Sequence, residues 1–491
     1  MLRCLLPVLL LGLGTIAGAQ DYSWLDNPQL LILRAQVDPR TRILYIEGEH
    51  FGSMRLPTVT LDDEPLTVRG ATKTGIEAGP LPPGIGPGSH ILRVVAGDDR
   101  SRFDAYSLDI VDADIVDALV APEPRTPTMN GGGFTKLRVL DSGGDVGWSP
   151  SIALGADALP VVAYLDYSSL DLKVAHCADP DCTSVTHALA DTEGDIGWSI
   201  DLAIGANQMP VIAYFDSKTR ALKMARCHDP GCHVATISVV DDSGDVGKFV
   251  SIAVPPDGLP VITYYDNEHR DLLVALCRGE TCEDAARRPL DSAGDVGWHN
   301  ALAIGSDGNP IVSYFDASRR DLKVAHCQDR GCSEVRHAAL DLSGVGMGTD
   351  IIIGEDGLPF IAYWDFLNDD LKAAHCDDPG CQSARIVRVD TTGSVGSSPA
   401  VALGTDGLPI IAYHDHSNSD LKVAHCRDQI CEAADISTVD SAGSVGWHVA
   451  ITIGADGLPL IAYYDETNGD LKLARCSDPT CGQRAPPPSR F

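Results

Sequence analysis

Two acidic motifs recur along the last three-quarters of this 491-residue chain, and both carry residue types that could hold a cation or a sugar. One is Tyr-x-Asp, whose aspartates are Asp166, Asp216, Asp266, Asp316, Asp365, Asp415 and Asp465. The other is Asp-x-x-Gly-Asp-Val-Gly-Trp, which supplies Asp145, Asp195, Asp245 and Asp295 together with Trp148, Trp198, Trp298 and Trp447. Carboxylates and turn carbonyls suit Ca²⁺, which takes about six to eight oxygens, and an indole face can stack on a sugar ring. The plainer reading gives Asp and Gly to the turns and lets Trp pack between neighbouring units. The second motif is degenerate. Ser394 and Ser444 replace its Asp, Gly344-Val345 lacks it, and Lys248, Met347 or Ser397 stands in place of Trp. A strict sevenfold ring of metal sites is therefore excluded, and up to four calcium sites remain, at Asp145, Asp195, Asp245 and Asp295.

Fourteen of the 15 cysteines fall into seven pairs: Cys177/Cys182, Cys227/Cys232, Cys277/Cys282, Cys327/Cys332, Cys376/Cys381, Cys426/Cys431 and Cys476/Cys481. Each pair brackets a four-residue turn. In an oxidising compartment such pairs are disulfides across a hairpin, each contributing about 2 kcal/mol by loop entropy. A metal reading would enlist His176, His326, His375 and His425, beside the first cysteine. Adjacent strand residues point to opposite faces, and Arg226, Leu276 and Arg475 replace the histidine elsewhere. Disulfides are expected.

The elements that must position these residues come from one repeat of 49 to 50 residues, seen seven times at Pro160, Pro210, Pro260, Pro310, Pro359, Pro409 and Pro459. Each copy holds four short runs of β-forming residues between turn signals: Ser-Ile-Ala-Leu before Asp-Gly-x-Pro, a run ending in Tyr-x-Asp, Asp-Leu-Lys-Val-Ala-His-Cys, and a run after the second cysteine. Four antiparallel strands per copy define a propeller blade. The seventh copy stops after Cys481, one strand short, while an orphan run, Phe134 to Leu140, precedes the first copy. That orphan predicts the outer strand of the last blade, closing the ring and removing an exposed edge. The expected fold class is all-β: a seven-bladed β-propeller over residues 134–482.

The N-terminus has other textures. Arg3, the apolar run Leu5 to Ile16 and Ala17-Gly18-Ala19 read as a signal peptide over 1–19, which makes the protein secreted (extracellular, periplasmic or cell-surface). Residues 113–133 read as a linker and 483–491 as a Pro-rich tail. In residues 20–112, Ile43-Leu-Tyr-Ile-Glu-Gly48, Phe51-Gly52, Val59-Thr-Leu61, Pro80-Leu-Pro-Pro83, Gly88 and Ile91-Leu-Arg-Val-Val95 resemble an IPT/TIG domain, with His50 where that family usually has Asn. The resemblance implies an immunoglobulin-like β-sandwich serving as spacer or binding module. The propeller half resembles the repeat propellers of secreted bacterial proteins and, broadly, sialidase-type propellers, without an Asp-box in good order.

A net charge of -32 excludes nucleic acid and anionic membrane surfaces as partners, and no later run suits membrane insertion. Nearly interchangeable copies do not supply the asymmetric constellation that catalysis needs. The sequence therefore predicts a secreted, non-catalytic recognition or scaffold protein, its propeller binding carbohydrate or extracellular protein multivalently, with calcium as the one candidate cofactor. A propeller glycosidase or lyase, or a purely structural cell-surface component, is the alternative.

Overall fold

Within each repeat, short β-branched and aromatic runs end at Asp-Gly, Pro or Cys, and the computed structural model turns every run into a strand. It describes residues 31–37, 42–49, 57–61, 64–71, 75–81, 88–95, 103–110, 135–342 and 345–482. The expected signal peptide, linker and tail lie outside the described residues. Two compact units divide between residues 130 and 131.

The first unit contains two four-stranded sheets. One has the order Leu31–Val37, Leu44–Glu49, Gly75–Ala78, Val68–Ala71; the other runs Glu64–Leu66, Thr58–Leu61, Gly88–Val95, Phe103–Ile110. One buried cluster draws Leu44, Ile46 and Ile76 from the first sheet and Val59, Leu61 and Leu92 from the second.

The second unit is a seven-bladed β-propeller. Blade 1 comprises Val146–Leu154, Pro160–Asp166, Asp171–Cys177 and Val185–Asp191, each antiparallel to the next. Blades 2 to 6 repeat this order, and blade 7 combines Val445–Ile453, Pro459–Asp465 and Asp470–Arg475 with Lys136–Asp141. The orphan strand thus closes the ring, Leu473 pairing with Arg138. First strands of neighbouring blades touch all the way round and wall a central channel.

All seven expected disulfides form: Cys177–Cys182, Cys227–Cys232, Cys277–Cys282, Cys327–Cys332, Cys376–Cys381, Cys426–Cys431 and Cys476–Cys481, with Cα atoms 4.7–4.9 Å apart. As expected, the fourth strand begins only after the second cysteine. Cys182, Cys232, Cys282, Cys332, Cys381, Cys431 and Cys481 stand inside the connection, in the left-handed region at φ +47 to +61°. In blade 1 the third strand ends at Cys177 and the fourth begins only at Val185, beyond Cys182. The reason is a tight turn. Each second cysteine donates its N–H to the carbonyl three residues back, at 2.9–3.2 Å, and the chain reverses there. The disulfides therefore staple a turn to the end of a strand and do not join two paired strands.

The seams between blades explain most of the repeated sequence. In blade 6, Tyr413 Oη donates to Asp390, the last residue of the outer strand of blade 5, at 2.7 Å, and Lys422 Nζ donates to the same carboxylate at 2.6 Å. Burial raises the Asp390 pKa, but the bonds from Lys422 and Tyr413 outweigh it and hold the carboxyl below its ordinary range. All seven tyrosines make this bond, at 2.6–2.9 Å. Blade 3 has Leu273 in place of the lysine, and Arg287 from its own outer strand reaches Asp241 instead, at 2.8 Å. The glycine of Val-Gly-Trp is a second seam device. Gly446 has φ +87°, and a Cβ there would lie 2.8 Å from Leu421 Cα on blade 6. A side chain would be both strained and in collision.

Candidate functional site at one mouth of the channel

The tryptophans of the second motif stand at the start of the inner strands, all four half-buried, so they gather at one mouth of the channel. Trp148 brings three blades together: its ring centroid lies 5.2 Å from Tyr167, 6.2 Å from Trp198, 5.3 Å from His448 and 4.9 Å from Tyr464. Across the ring, Phe249 lies 5.8 Å from Trp298 and 4.5 Å from His299. Trp447 packs 4.4 Å from His414.

Three of the four motif carboxylates hold neighbouring side chains. Asp145 accepts from the Trp148 indole at 2.9 Å and from Tyr464 Oη of the preceding blade at 2.7 Å. Asp295 does the same for Trp298 and Tyr265, each at 2.8 Å. Asp245 accepts from Lys248 at 3.0 Å and Asn267 at 2.9 Å. At Asp195 it is the backbone carbonyl that engages the Ser217 hydroxyl, at 2.8 Å. Among the described residues no group of three or more His, Cys, Asp or Glu side chains is spaced to hold a metal ion.

The Tyr-x-Asp carboxylates lie beneath this surface, 0–7% exposed. They accept backbone N–H groups of their own turns, as Asp166 does from Ser168 at 3.0 Å and Asp465 from Asn468 at 3.1 Å. Six of them also face the strand-three lysines at 2.6–3.6 Å. The histidines beside the cysteines face the Asp-Gly turns: His326 meets Asp307 at 3.0 Å, and His375 and His425 meet Asp356 and Asp406 at 2.9 Å.

Residues that the motifs did not single out line the channel itself. Asp201 and Asp350 occupy the same register on the inner strands of blades 2 and 5. These blades are never adjacent in a ring of seven, so the electrostatic influence of Asp201 on Asp350 crosses the channel. Protein encloses both, with only part of each surface open to the lumen, so desolvation dominates. It raises the Asp201 pKa and pushes Asp350 up to about 7. His299 and His448, on blades 4 and 7, also interact, and burial lowers each to about 4. Two facing carboxyls are the equipment of glycoside hydrolysis. Here they act as clamps. Asp201 accepts from Ser151 Oγ at 2.8 Å, Ser251 Oγ at 3.1 Å and Ile252 N–H at 2.8 Å, joining three blades. Asp350 accepts from Val401 N–H of blade 6 at 2.8 Å.

One further pairing resembles catalytic machinery. Ser397 Oγ lies 3.3 Å from His414 Nδ1, yet burial drives His414 down to about 3, with His416 and His448 adding to the effect, and no carboxylate orients its Nε2. A base so weak and unoriented is poorly matched to activating a serine. Aligning the seven copies column by column would have exposed these residues, because His414, Asp201 and Asp350 each break an otherwise uncharged column.

No family model matches the chain, and no curated protein matches it. Solved structures do share its general form. An auxiliary nutrient binding protein from Bacteroides ovatus aligns at 10% identity over 91% of this chain and 98% of that one, with a TM-score of 0.40. A putative phosphatase from Bacteroides thetaiotaomicron aligns at 10% identity over 93% and 98%, TM-score 0.40. An intramolecular trans-sialidase from Ruminococcus gnavus aligns at 12% over 71% and 96%, TM-score 0.38. Likenesses this distant carry no argument about function, and the class of fold, a seven-bladed β-propeller, rests on the strand order alone.

Proposed function

We propose that this is a secreted, non-catalytic recognition protein that binds carbohydrate at the aromatic mouth of its propeller. In this reading residues 1–19 are removed on export, and residues 20–112 form an IPT/TIG-like, immunoglobulin-type spacer. The observation that carries the proposal is the set of half-buried Trp148, Trp198, Trp298 and Trp447 at one mouth, with Tyr464 against Trp148, Tyr265 against Trp298 and His414 against Trp447. Hydrogen bonds to Asp145 and Asp295 fix two of the indoles. Fixed, partly open indoles lose little entropy on binding and present flat apolar faces to sugar C–H groups. The convergence of Trp148 and Trp198 favours one composite site over seven separate ones.

Calcium is assigned no role at Asp145, Asp245 and Asp295, whose carboxylates already serve indole, phenol, ammonium or amide donors. The test is a neutral and acidic glycan array probed with residues 20–491, with calcium and with EDTA. Selective binding that survives EDTA and falls at least tenfold in Trp148→Ala supports the proposal. Loss in EDTA would instead assign calcium to the acidic motif, and silence from folded protein would refute carbohydrate recognition.

A further inference from the structure

Blade 6 departs from its six siblings at one spot on this mouth. Between Tyr and Asp the other blades carry Leu165, Phe215, Tyr265, Phe315, Trp364 and Tyr464; blade 6 carries His414. Across the strand pair, blades 1, 4 and 7 set a tryptophan against that residue, whereas blade 6 sets Ser397. A serine stands where those blades have an indole, and an imidazole lies against it.

Two polar atoms at this spot lack partners. His414 is fully buried, and its Nε2 meets no hydrogen-bonding group. With Ser397 donating to Nδ1, an assignment made from that contact, the neutral ring carries its proton on Nε2. The Trp447 indole N–H, on a ring 4.4 Å away, is also unpartnered. The reason is a substitution. Trp148 and Trp298 donate to the Asp three residues before them, but blade 7 has Ser444 there, and its hydroxyl donates to Glu466 at 2.5 Å. Buried donors without acceptors cost about 1–3 kcal/mol each and are rare in native proteins.

We infer that Ser397, His414 and Trp447 form the polar subsite of the mouth, seating an acceptor oxygen of an uncharged sugar. This inference rests on the carbohydrate reading proposed above. The oxygen, a ring hydroxyl or an acetamido carbonyl, accepts from the Trp447 indole and His414 Nε2 while the sugar ring covers the aromatic faces. Acidic sugars are disfavoured, because Glu466 stands beside Ser444 and the chain carries a net charge of -32.

The experiment uses full-length mature protein with cellotetraose, xylotetraose, chitotetraose and N-acetyllactosamine. Each is titrated against wild type, Ser397→Trp, Ser444→Asp and Trp148→Ala while indole N–H signals are followed by NMR. Ser397→Trp and Ser444→Asp import residues from sibling blades, which favours folding; thermal melts check it. The expected result is binding of at least one sugar, a downfield shift of the Trp447 indole signal, and at least tenfold weaker affinity in both blade-swap variants. Unchanged affinity in those variants, with loss in Trp148→Ala, overturns the subsite and leaves the carbohydrate reading standing. A Trp447 signal that sugar does not move also overturns it, and binding of none of the four sugars overturns both.

Discussion

Asp350 shares its inner-strand register with Ser151, Asp201, Ser251, Ala301, Ala400 and Ala450, so the molecule itself contains the control substitutions for this position. We take Asp350→Ser. Burial pushes the carboxyl from 3.8 up to about 7, so between these pH values the folded chain holds a proton that the unfolded chain releases. Stability from this group therefore falls as pH rises through that window and stays low above it. A difference of roughly three pH units at about 1.4 kcal/mol each comes to about 4 kcal/mol. The substituted serine does not titrate and can still accept from Val401 N–H, as Ser251 Oγ accepts from Leu302 N–H at 3.2 Å. It loses the Ile351 N–H bond, a pH-independent cost of about 1 kcal/mol. The variant should thus be slightly less stable than wild type at pH 4 and more stable at pH 8, the difference moving by up to about 4 kcal/mol. Paired urea titrations at pH 4, 6 and 8, read by tryptophan fluorescence, measure this, since the titrating groups that do not sense Asp350 cancel between the two proteins and Asp201, which is coupled to it across the channel, adds only a minor difference. A stability difference flat across pH would refute the reasoning and show the channel to be wet enough to hydrate the carboxylate.

Gly446→Ala should lower stability by about 3 kcal/mol or more, because the φ of +87° is strained for alanine and its Cβ meets Leu421 backbone; thermal denaturation reads the loss. Lys422→Leu removes the cation from the buried Asp390 and should cost about 3 kcal/mol. Adding Ile436→Arg, the blade 3 solution that puts Arg287 on Asp241, should recover a measurable part in a double-mutant cycle. Replacing Cys426 and Cys431 together by alanine should cost about 2 kcal/mol, visible as a lower urea midpoint with the propeller still formed.

The sequence by itself determined what is periodic. Seven copies of strand-like runs, each ended by Gly, Pro or a cysteine turn, dictated blades and disulfides, because consecutive strands of a blade pair locally; the orphan strand from Phe134, whose partner lies at the other end of the repeats, was legible only because the last copy lacks a fourth run. The tertiary structure decided what each repeated polar residue faces. Tyr-x-Asp looked like a ring of surface carboxylates, yet its aspartates are buried in turn hydrogen bonds and lysine pairs. Asp145 and Asp295 looked ready for calcium, yet they hold Trp and Tyr across a seam. The Asp201–Asp350 and His299–His448 pairs unite residues about 150 positions apart, from blades that meet only across the channel. A repeat reveals which residues share a role within their blades. Which of them meet at the axis follows only from closing seven blades into a ring, where small departures such as Ser397, His414 and Ser444 come together.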